Sequence, residues 1–223
     1  MEPIISLHGI NKGYSTAHAR VDVLSGFHLE VMPGEFVALM GPSGVGKSTI
    51  LNLIGAMDSP DQGTVTVAGT RIEALSESAR SRWRACHIGF VFQSHFLMPM
   101  LTAAANVELP LMLTSLSRNG RRTKVAQVLE QVGLADRVRH KPAELSGGQQ
   151  QRVGIARALV AGAPVLLCDE PTAGLDRQTA DSILSLLSDL SRNGRTIVMV
   201  THDQQAAAFA GRKVELSTMA ASS

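Results

Sequence analysis

The stretch Phe36-Val37-Ala38-Leu39-Met40-Gly41-Pro42-Ser43-Gly44-Val45-Gly46-Lys47-Ser48-Thr49 decides how the rest of the chain is read. Phe36–Met40 is an apolar run of strand length. Gly41–Ser48 then satisfies Gly-x-x-x-x-Gly-Lys-Ser/Thr at every position. The residues after it predict a helix from Gly46 or Lys47 to about Met57. A strand, a glycine-rich turn and a helix N-terminus in that order form a nest of backbone N–H donors around phosphate oxygens. The helix adds partial positive charge at its start. Lys47 is placed to meet the outer phosphates as a mobile point charge, and the Ser48 hydroxyl to ligate Mg²⁺.

Further along, Val165-Leu-Leu-Cys-Asp169-Glu170 reads as a buried strand ending in two acids. Such a strand is apolar throughout because helices cover both faces of a parallel sheet. Acids at its carboxyl end fall where ligand sites form in those sheets. Asp169 is positioned to hold Mg²⁺, through waters, and Glu170 to polarise an attacking water.

Between these two stretches lies Leu145-Ser146-Gly147-Gly148-Gln149, followed by the helical run Gln150–Leu159. Ser146 and the amides of Gly147 and Gly148 make a second anion cradle at a helix N-terminus. By physics alone Ser146 is equally an ordinary N-cap. One chain thus has two cradles and one set of catalytic acids. Either the second serves another ligand, or it completes the site of a second copy.

The remaining pattern is mixed. Strand-like runs at Ile4–Leu7, Phe27–Val31, Phe36–Met40 and Thr64–Val67 are separated by glycine and proline. Residues 94–162 read as helical throughout, with Val125, Val128, Leu129 and Val132 on one face. Val165–Cys168 (strand), Asp176–Leu190 (helix), Thr196–Val200 (strand) and a short final helix complete the series. Ala180, Ile183, Leu184 and Leu187 form the buried stripe of the long helix. Strand–helix alternation implies a parallel sheet covered on both faces, with the helical middle inserted into it. The tail Met219–Ser223 reads as frayed.

Composition narrows the function. The 223 residues are 44% hydrophobic and 18% charged, too apolar for disorder. A net charge of +2 argues against a dedicated nucleic-acid binder. No apolar run approaches the ~18 residues needed to span a bilayer. The start of the chain does not resemble a signal peptide. Cys86 and Cys168 make neither a disulfide framework nor a zinc pair. These features predict a soluble, intracellular protein; if it acts at a membrane, it must do so through a partner. Arg118, Arg121, Arg122 and Lys124 read as a solvated helix face, and the histidines other than His202 have no metal-ligand spacing.

Leu145–Gln149, lying between the phosphate loop and the Asp169-Glu170 strand, resembles the signature of the ATP-binding-cassette ATPases, and the likeness covers nearly the whole chain. Tyr14 matches the aromatic that this family stacks on adenine. Gln93, after the strand Ile88–Phe92, matches the glutamine that senses Mg²⁺ and the attacking water. Gly174-Leu175-Asp176 matches the loop that crosses the dimer, and His202 the histidine at the γ phosphate. The resemblance implies an α/β fold: a P-loop NTPase (RecA-like) parallel-sheet core, an N-terminal antiparallel β subdomain and an inserted α-helical subdomain. It implies one domain over 1–223, with core at about 1–93 and 163–218 and the helical part at about 94–162. Glu170, His202 and Gln93 would be catalytic. Tyr14, Gly41 to Thr49 and Ser146 to Gln149 would bind ATP, and Ser48, Gln93 and Asp169 would hold Mg²⁺.

The run Ile88-Gly-Phe-Val-Phe-Gln-Ser-His-Phe-Leu-Met-Pro99, with Asn106-Val-Glu-Leu-Pro-Leu111, is similar to the macrolide-exporter, lipoprotein-releasing, haem-exporter and cell-division subgroup. That implies a head-to-tail homodimer on a separate four-helix permease with a large extracytoplasmic domain, at the cytoplasmic face of the membrane. The expected work is export; the alternative is force transmission to cell-wall enzymes without transport. Phe96, Leu97, Met98 and Met100 are either helical-subdomain core or the groove that receives a permease helix. Ala105 stands where the subgroup has an acid, and Cys168 where it has a small residue. The chain stops soon after Arg212–Leu216, so no regulatory domain is expected. A small GTPase would need Asn-Lys-x-Asp after the phosphate loop. Asn11-Lys12 precedes the loop, and Tyr14 occupies the Asp position. A DNA-repair cassette would need long coiled-coil insertions, and a translation-type cassette two copies of the motifs.

Overall fold

The computed structural model describes residues 2–15 and 19–216; the tail Met219–Ser223 lies outside them. In chain order the elements are β1 (Ile5–Ser15), β2 (Arg20–Val31), β3 (Phe36–Met40), α1 (Lys47–Ile54), β4 (Gln62–Val67) and β5 (Thr70–Arg71). They continue with α2 (Glu77–His87), β6 (Ile88–Val91), α3 (Ala103–Glu108), α4 (Arg118–Gln131) and α5 (Gly147–Leu159). The last are β7 (Val165–Asp169), α6 (Arg177–Arg192), β8 (Thr196–Val200), α7 (Gln204–Ala207) and β9 (Arg212–Glu215).

Two sheets form. The parallel one runs β6-β7-β8-β3-β9, and the antiparallel one β2-β1-β4-β5. Side chains alternate across a strand, and β3 displays the result. Phe36, Ala38 and Met40 face the core shared with α3, α4, α5 and α6. Val37 and Leu39 face the opposite core, shared with α1 and the antiparallel sheet. All five are buried, as a strand covered on both faces must be. Phe36, Val37, Leu39 and Met40 each contribute about 1.5–3 kcal/mol of burial.

The fold is the α/β arrangement expected, with corrections in detail. The first two strand runs are only the ends of a longer hairpin, since β1 and β2 pair from Ile5↔Val31 out to Ser15↔Arg20. Polar residues near its tip hid the strand signal. Residues 94–162 are not helical throughout. Pro99, Pro110, Gly133 and Pro142 interrupt them, leaving α3, α4, α5 and short 3₁₀ turns at Leu109–Leu113 and Pro142–Glu144. Helix α2 lies in a stretch, between Val67 and Ile88, to which the sequence pattern assigns no element. Its polar face hides a single buried anchor, Trp83. The final helix is one turn, and β9 beyond it is the fifth parallel strand, bonded to β3. Helix α1 ends at Ile54, with Gly55 as its C-cap. Helix α6 begins where Asp176 caps it, accepting from the Thr179 amide at 3.0 Å, and buries Ile183, Leu184, Leu187 and Leu190. On α4, Arg118, Arg122 and Lys124 are solvated, while Arg121 pairs with Glu108 at 2.8 Å.

Candidate active site

Strands β3, β7 and β8 end at one edge of the parallel sheet, at Met40, Asp169 and Val200. Just beyond these ends the chain places a cleft of about 360 Å³. Ser43, Gly44, Gly46, Lys47, Ser48, Thr49, Gln93, Asp169 and Glu170 line it, with Val23 and Val200 as apolar walls. This is the crevice position expected of an open α/β sheet.

The loop is shaped by its glycines. Gly41 has φ 151° and Gly46 φ 100°, conformations that favour a residue without a Cβ. A Cβ on Gly41 would also lie 2.5 Å from the Leu216 carbonyl oxygen. Lys47 Nζ donates back to the carbonyls of Gly41 at 2.7 Å and Pro42 at 2.8 Å. Those acceptors are neutral carbonyls, which an anion can displace. Helix α1 has no acid in its first turn, and its N-terminal partial charge stays positive. Val45 is buried and holds the loop to the body.

The acids occupy the opposite wall. The Ser48 hydroxyl donates to Asp169 Oδ2 at 3.4 Å. Burial raises the Asp169 carboxyl above its ordinary pKa and the Glu170 charge adds to this, against the Ser48 hydrogen bond and the Lys47 charge. Ser48, Gln93 and Asp169 thus offer hard oxygen donors on one cleft, the set that suits Mg²⁺. Glu170 has φ 47°, a left-handed conformation that costs about 1–3 kcal/mol and marks functional positions. Its Oε1 accepts from the His202 amide at 3.1 Å and faces His202 Nδ1 at 2.7 Å. Cys168, fully buried beside these acids, has its thiol pushed far up by burial and then by the Asp169 charge, which leaves it inert.

Two groups of sequence-predicted residues do not line the cleft, although the Tyr14 hydroxyl also reaches Thr49 at its margin. Tyr14, on β1, sends its hydroxyl to Asp58 Oδ2 at 2.9 Å. Ser146, Gly147, Gly148 and Gln149 start α5 and none lines the cleft. There Ser146 Oγ accepts from the Gln149 amide at 3.3 Å, and Gln149 Oε1 from the Ser146 amide at 2.9 Å. This reciprocal capping box orders the helix end. Gly148 packs so tightly on α6 that a Cβ there would sit 2.2 Å from Thr179 Cγ2. The buried Gln151 amide donates to the Pro171 carbonyl at 2.7 Å, tying α5 to the segment after Glu170.

Sequence reasoning missed the residues that hold these parts. Arg157 on α5 donates to the carbonyls of Phe96 at 2.6 Å and His95 at 2.7 Å, two residues with positive φ. His95 lies between the carbonyl oxygens of Gln93 at 2.9 Å and Gly147 at 3.1 Å. The loop after Gln93 is therefore fastened to the start of α5. Leu97 packs on the core, whereas Phe96, Met98 and Met100 are exposed. Phe96 borders a largely apolar groove of about 560 Å³ with Phe90, Phe92, Met57 and Leu113. Neither clamp has a periodic or compositional signal, because each depends on a fold-specific approach of one side chain to distant carbonyls.

A strand–loop–helix phosphate cradle facing a strand-end carboxylate pair defines a P-loop NTPase. Comparison with known proteins gives the family: the ABC transporter model matches residues 24–173, and the chain belongs to that family. The macrolide export ATP-binding/permease protein MacB of Sodalis glossinidius (strain morsitans) is 44% identical over 214 residues, 96% of this chain and 33% of that protein. MacB of Escherichia coli is 44% identical over 216 residues, 97% of this chain and 33% of that protein. The chain thus spans about a third of the length of these relatives. Among solved structures, a post-hydrolysis dimer of the ATP-binding cassette MJ0796 bound to ADP and Pi has a TM-score of 0.87. It is 41% identical, with 96% of this chain and 94% of that chain covered. A second dimeric MJ0796 structure also gives a TM-score of 0.87, at 42% identity over 95% and 94% of the two chains.

Proposed function

We propose that this chain is an ATP-hydrolysing cassette that powers export through a membrane permease, working as a head-to-tail dimer. One observation carries the reading. The cleft holds Lys47, Ser48, Asp169 and Glu170, while the second cradle at Ser146–Gln149 lies outside it. A second copy, turned head to tail, would supply that cradle to the first. The dimeric MJ0796 structures support such an assembly, and the likeness to MacB supports export over force transmission without transport.

In this mechanism Gly41 to Thr49 wrap the phosphates, Lys47 exchanges its carbonyl contacts for phosphate oxygens, and Tyr14 stacks on the base. Ser48, Gln93 and Asp169 would hold Mg²⁺, which supplies charge neutralisation at the outer phosphates. Glu170 draws a proton from the attacking water while His202 fixes its carboxylate and faces the γ phosphate. Ser146 and the Gly147 and Gly148 amides of the second copy close over that phosphate. The helical part, about 94–162, moves against the core formed by about 1–93 and 163–218, and the groove bordered by Phe96 moves with it. Among the described residues no helix is long and apolar enough to cross a membrane. The membrane path would belong to the permease, of the four-helix type, with the cassette on its cytoplasmic face.

Met98→Glu combined with Met100→Glu tests the coupling. Both side chains are exposed, so the cassette should fold and bind ATP as before. A charge at the contact would have to be desolvated, and permease-stimulated ATPase activity in membrane vesicles should fall to the basal rate. Full stimulation in the variant would remove the docking site from this surface.

A further inference from the structure

Resting on the reading that Tyr14 stacks on the base, we infer that Lys12 and Asp58 are positioning residues that hold its ring as a preset platform. Lys12 precedes Tyr14 by two positions on β1, hence on the same face of the strand. It is only 8% exposed, and a lysine is that buried only when paired. Its ammonium donates to Asp58 Oδ1 at 2.7 Å and to the Ser59 carbonyl at 2.8 Å, with Asp61 Oδ1 at 3.9 Å. It also stands 5.0 Å from the centre of the Tyr14 ring, over one face.

Asp58 divides its carboxylate between the two partners. Oδ1 takes the Lys12 ammonium and the Ser59 amide, the latter at 2.7 Å, while Oδ2 takes the Tyr14 hydroxyl at 2.9 Å. The ring is therefore restrained twice, through its hydroxyl in the ring plane and through a cation on one face. A base would stack on the other face. Tyr14 is still 39% exposed, so the restraints fix its orientation without covering it. Asp58 follows α1 closely, and its amide donates to the Asn52 carbonyl of that helix at 3.3 Å. The helix whose start carries Lys47 and Ser48 thereby also sets where the platform stands. An ordered ring binds without first surrendering rotamer freedom, which is the gain from preorganisation.

The test measures dissociation constants for ATP and for inorganic tripolyphosphate, which has the phosphates and no base. Tyr14→Ala should weaken ATP about 5- to 150-fold, the range for loss of one base–aromatic stack. Lys12→Met keeps the stem and removes the cation. Asp58→Asn leaves one acceptor oxygen for three donors. Each should weaken ATP by about 3- to 10-fold, a part of the stacking gain. Tyr14→Phe keeps the ring, removes only the hydroxyl that Asp58 accepts, and should lose about 2- to 5-fold. Tripolyphosphate binding should stay within about twofold in all four, and neither Lys12→Met nor Asp58→Asn should weaken ATP further in a Tyr14→Ala background. Equal losses for ATP and tripolyphosphate would overturn the inference in favour of a plain structural role. If Tyr14→Ala itself leaves ATP binding unchanged, the stacking reading fails. If Tyr14→Ala weakens ATP and the Lys12, Asp58 and Phe variants do not, stacking stands and the positioning inference fails.

Discussion

Replacing Glu170 by Gln keeps the side-chain volume and removes one charge at the centre of the proposed chemistry. The carboxylate is 17% exposed, and one of its oxygens meets both the His202 amide and the His202 ring. An amide oxygen can still accept from the backbone N–H at 3.1 Å, so the left-handed turn at residue 170 should survive. What is lost is the group that draws a proton from water, together with its charge-assisted contact to the imidazole. Loss of a positioned general base reduces turnover by about 10²- to 10⁴-fold, or about 3–5 kcal/mol of barrier. Binding should hold, because Lys47 and the Gly41–Ser48 amides are untouched. Single-turnover hydrolysis of radiolabelled ATP, with nucleotide affinity measured alongside, separates the two. The expected result is an unchanged dissociation constant, a rate at least a hundredfold lower, and accumulation of an ATP-bound dimer on size exclusion. Turnover within about threefold of the parent, far inside the range for a lost base, would refute the role given to Glu170.

Two further outcomes follow from packing and charge. Gly148→Ala drives a Cβ to 2.2 Å from Thr179 Cγ2, so urea denaturation should show about 1–3 kcal/mol lost to overpacking; adding Thr179→Ser, which removes that methyl, should restore most of it, and an unaltered single variant would contradict the α5–α6 contact. For Asp58, burial works to raise the pKa, but hydrogen bonds from Lys12, the Ser59 amide and Tyr14 outweigh it and leave it lowered. A lowered folded pKa gives stability that is complete above the unfolded value of about 3.9 and is lost as pH falls through the folded value. Thermal midpoints of Asp58→Asn should therefore fall less steeply than those of the parent below about pH 4, and parallel curves would count against the Lys12–Asp58–Tyr14 cluster.

The parts of this molecule that were readable in sequence are those whose chemistry is written locally. Gly41–Ser48 specifies its own turn and helix, and Val165–Asp169 announces a strand covered on both faces by having no polar residue before its end. The long hairpin of β1 and β2 was harder, because residues such as Asn11, Lys12, Asp22 and Ser25 break the apolar alternation, and the pairing of the two strands is made by backbone register rather than by an apolar pattern. The helical reading of 94–162 failed where Pro99 lies in an irregular segment before α3, and where Pro110 and Gly133 stand just past helix ends that apolar periodicity alone would have continued. Lys12 was noticed only as half of a wrong guanine-binding motif. Its pairing with Asp58 crosses from β1 to the loop after α1, and no spacing rule encodes that. Arg157 likewise looked like one more basic residue on a helix, and only the fold shows it gripping the His95–Phe96 backbone.

The central claim is that the two cradles of one chain serve two different nucleotides. Ser146→Arg puts a bulky cation into the second cradle and spares the phosphate loop. Ser146 also caps α5, so the variant gives up about 0.5–2 kcal/mol of stability, within the margin of a domain of this size. Lys47→Ala disables the loop and spares the second cradle. Mixing the two subunits makes heterodimers in which one composite site carries both lesions and the other carries neither. The direct measurement is ATP hydrolysis by each variant alone and by the mixture, with the permease present. The account predicts that the mixture hydrolyses ATP well above the sum of its silent parents. A mixture as inactive as either parent would contradict a site shared between two copies.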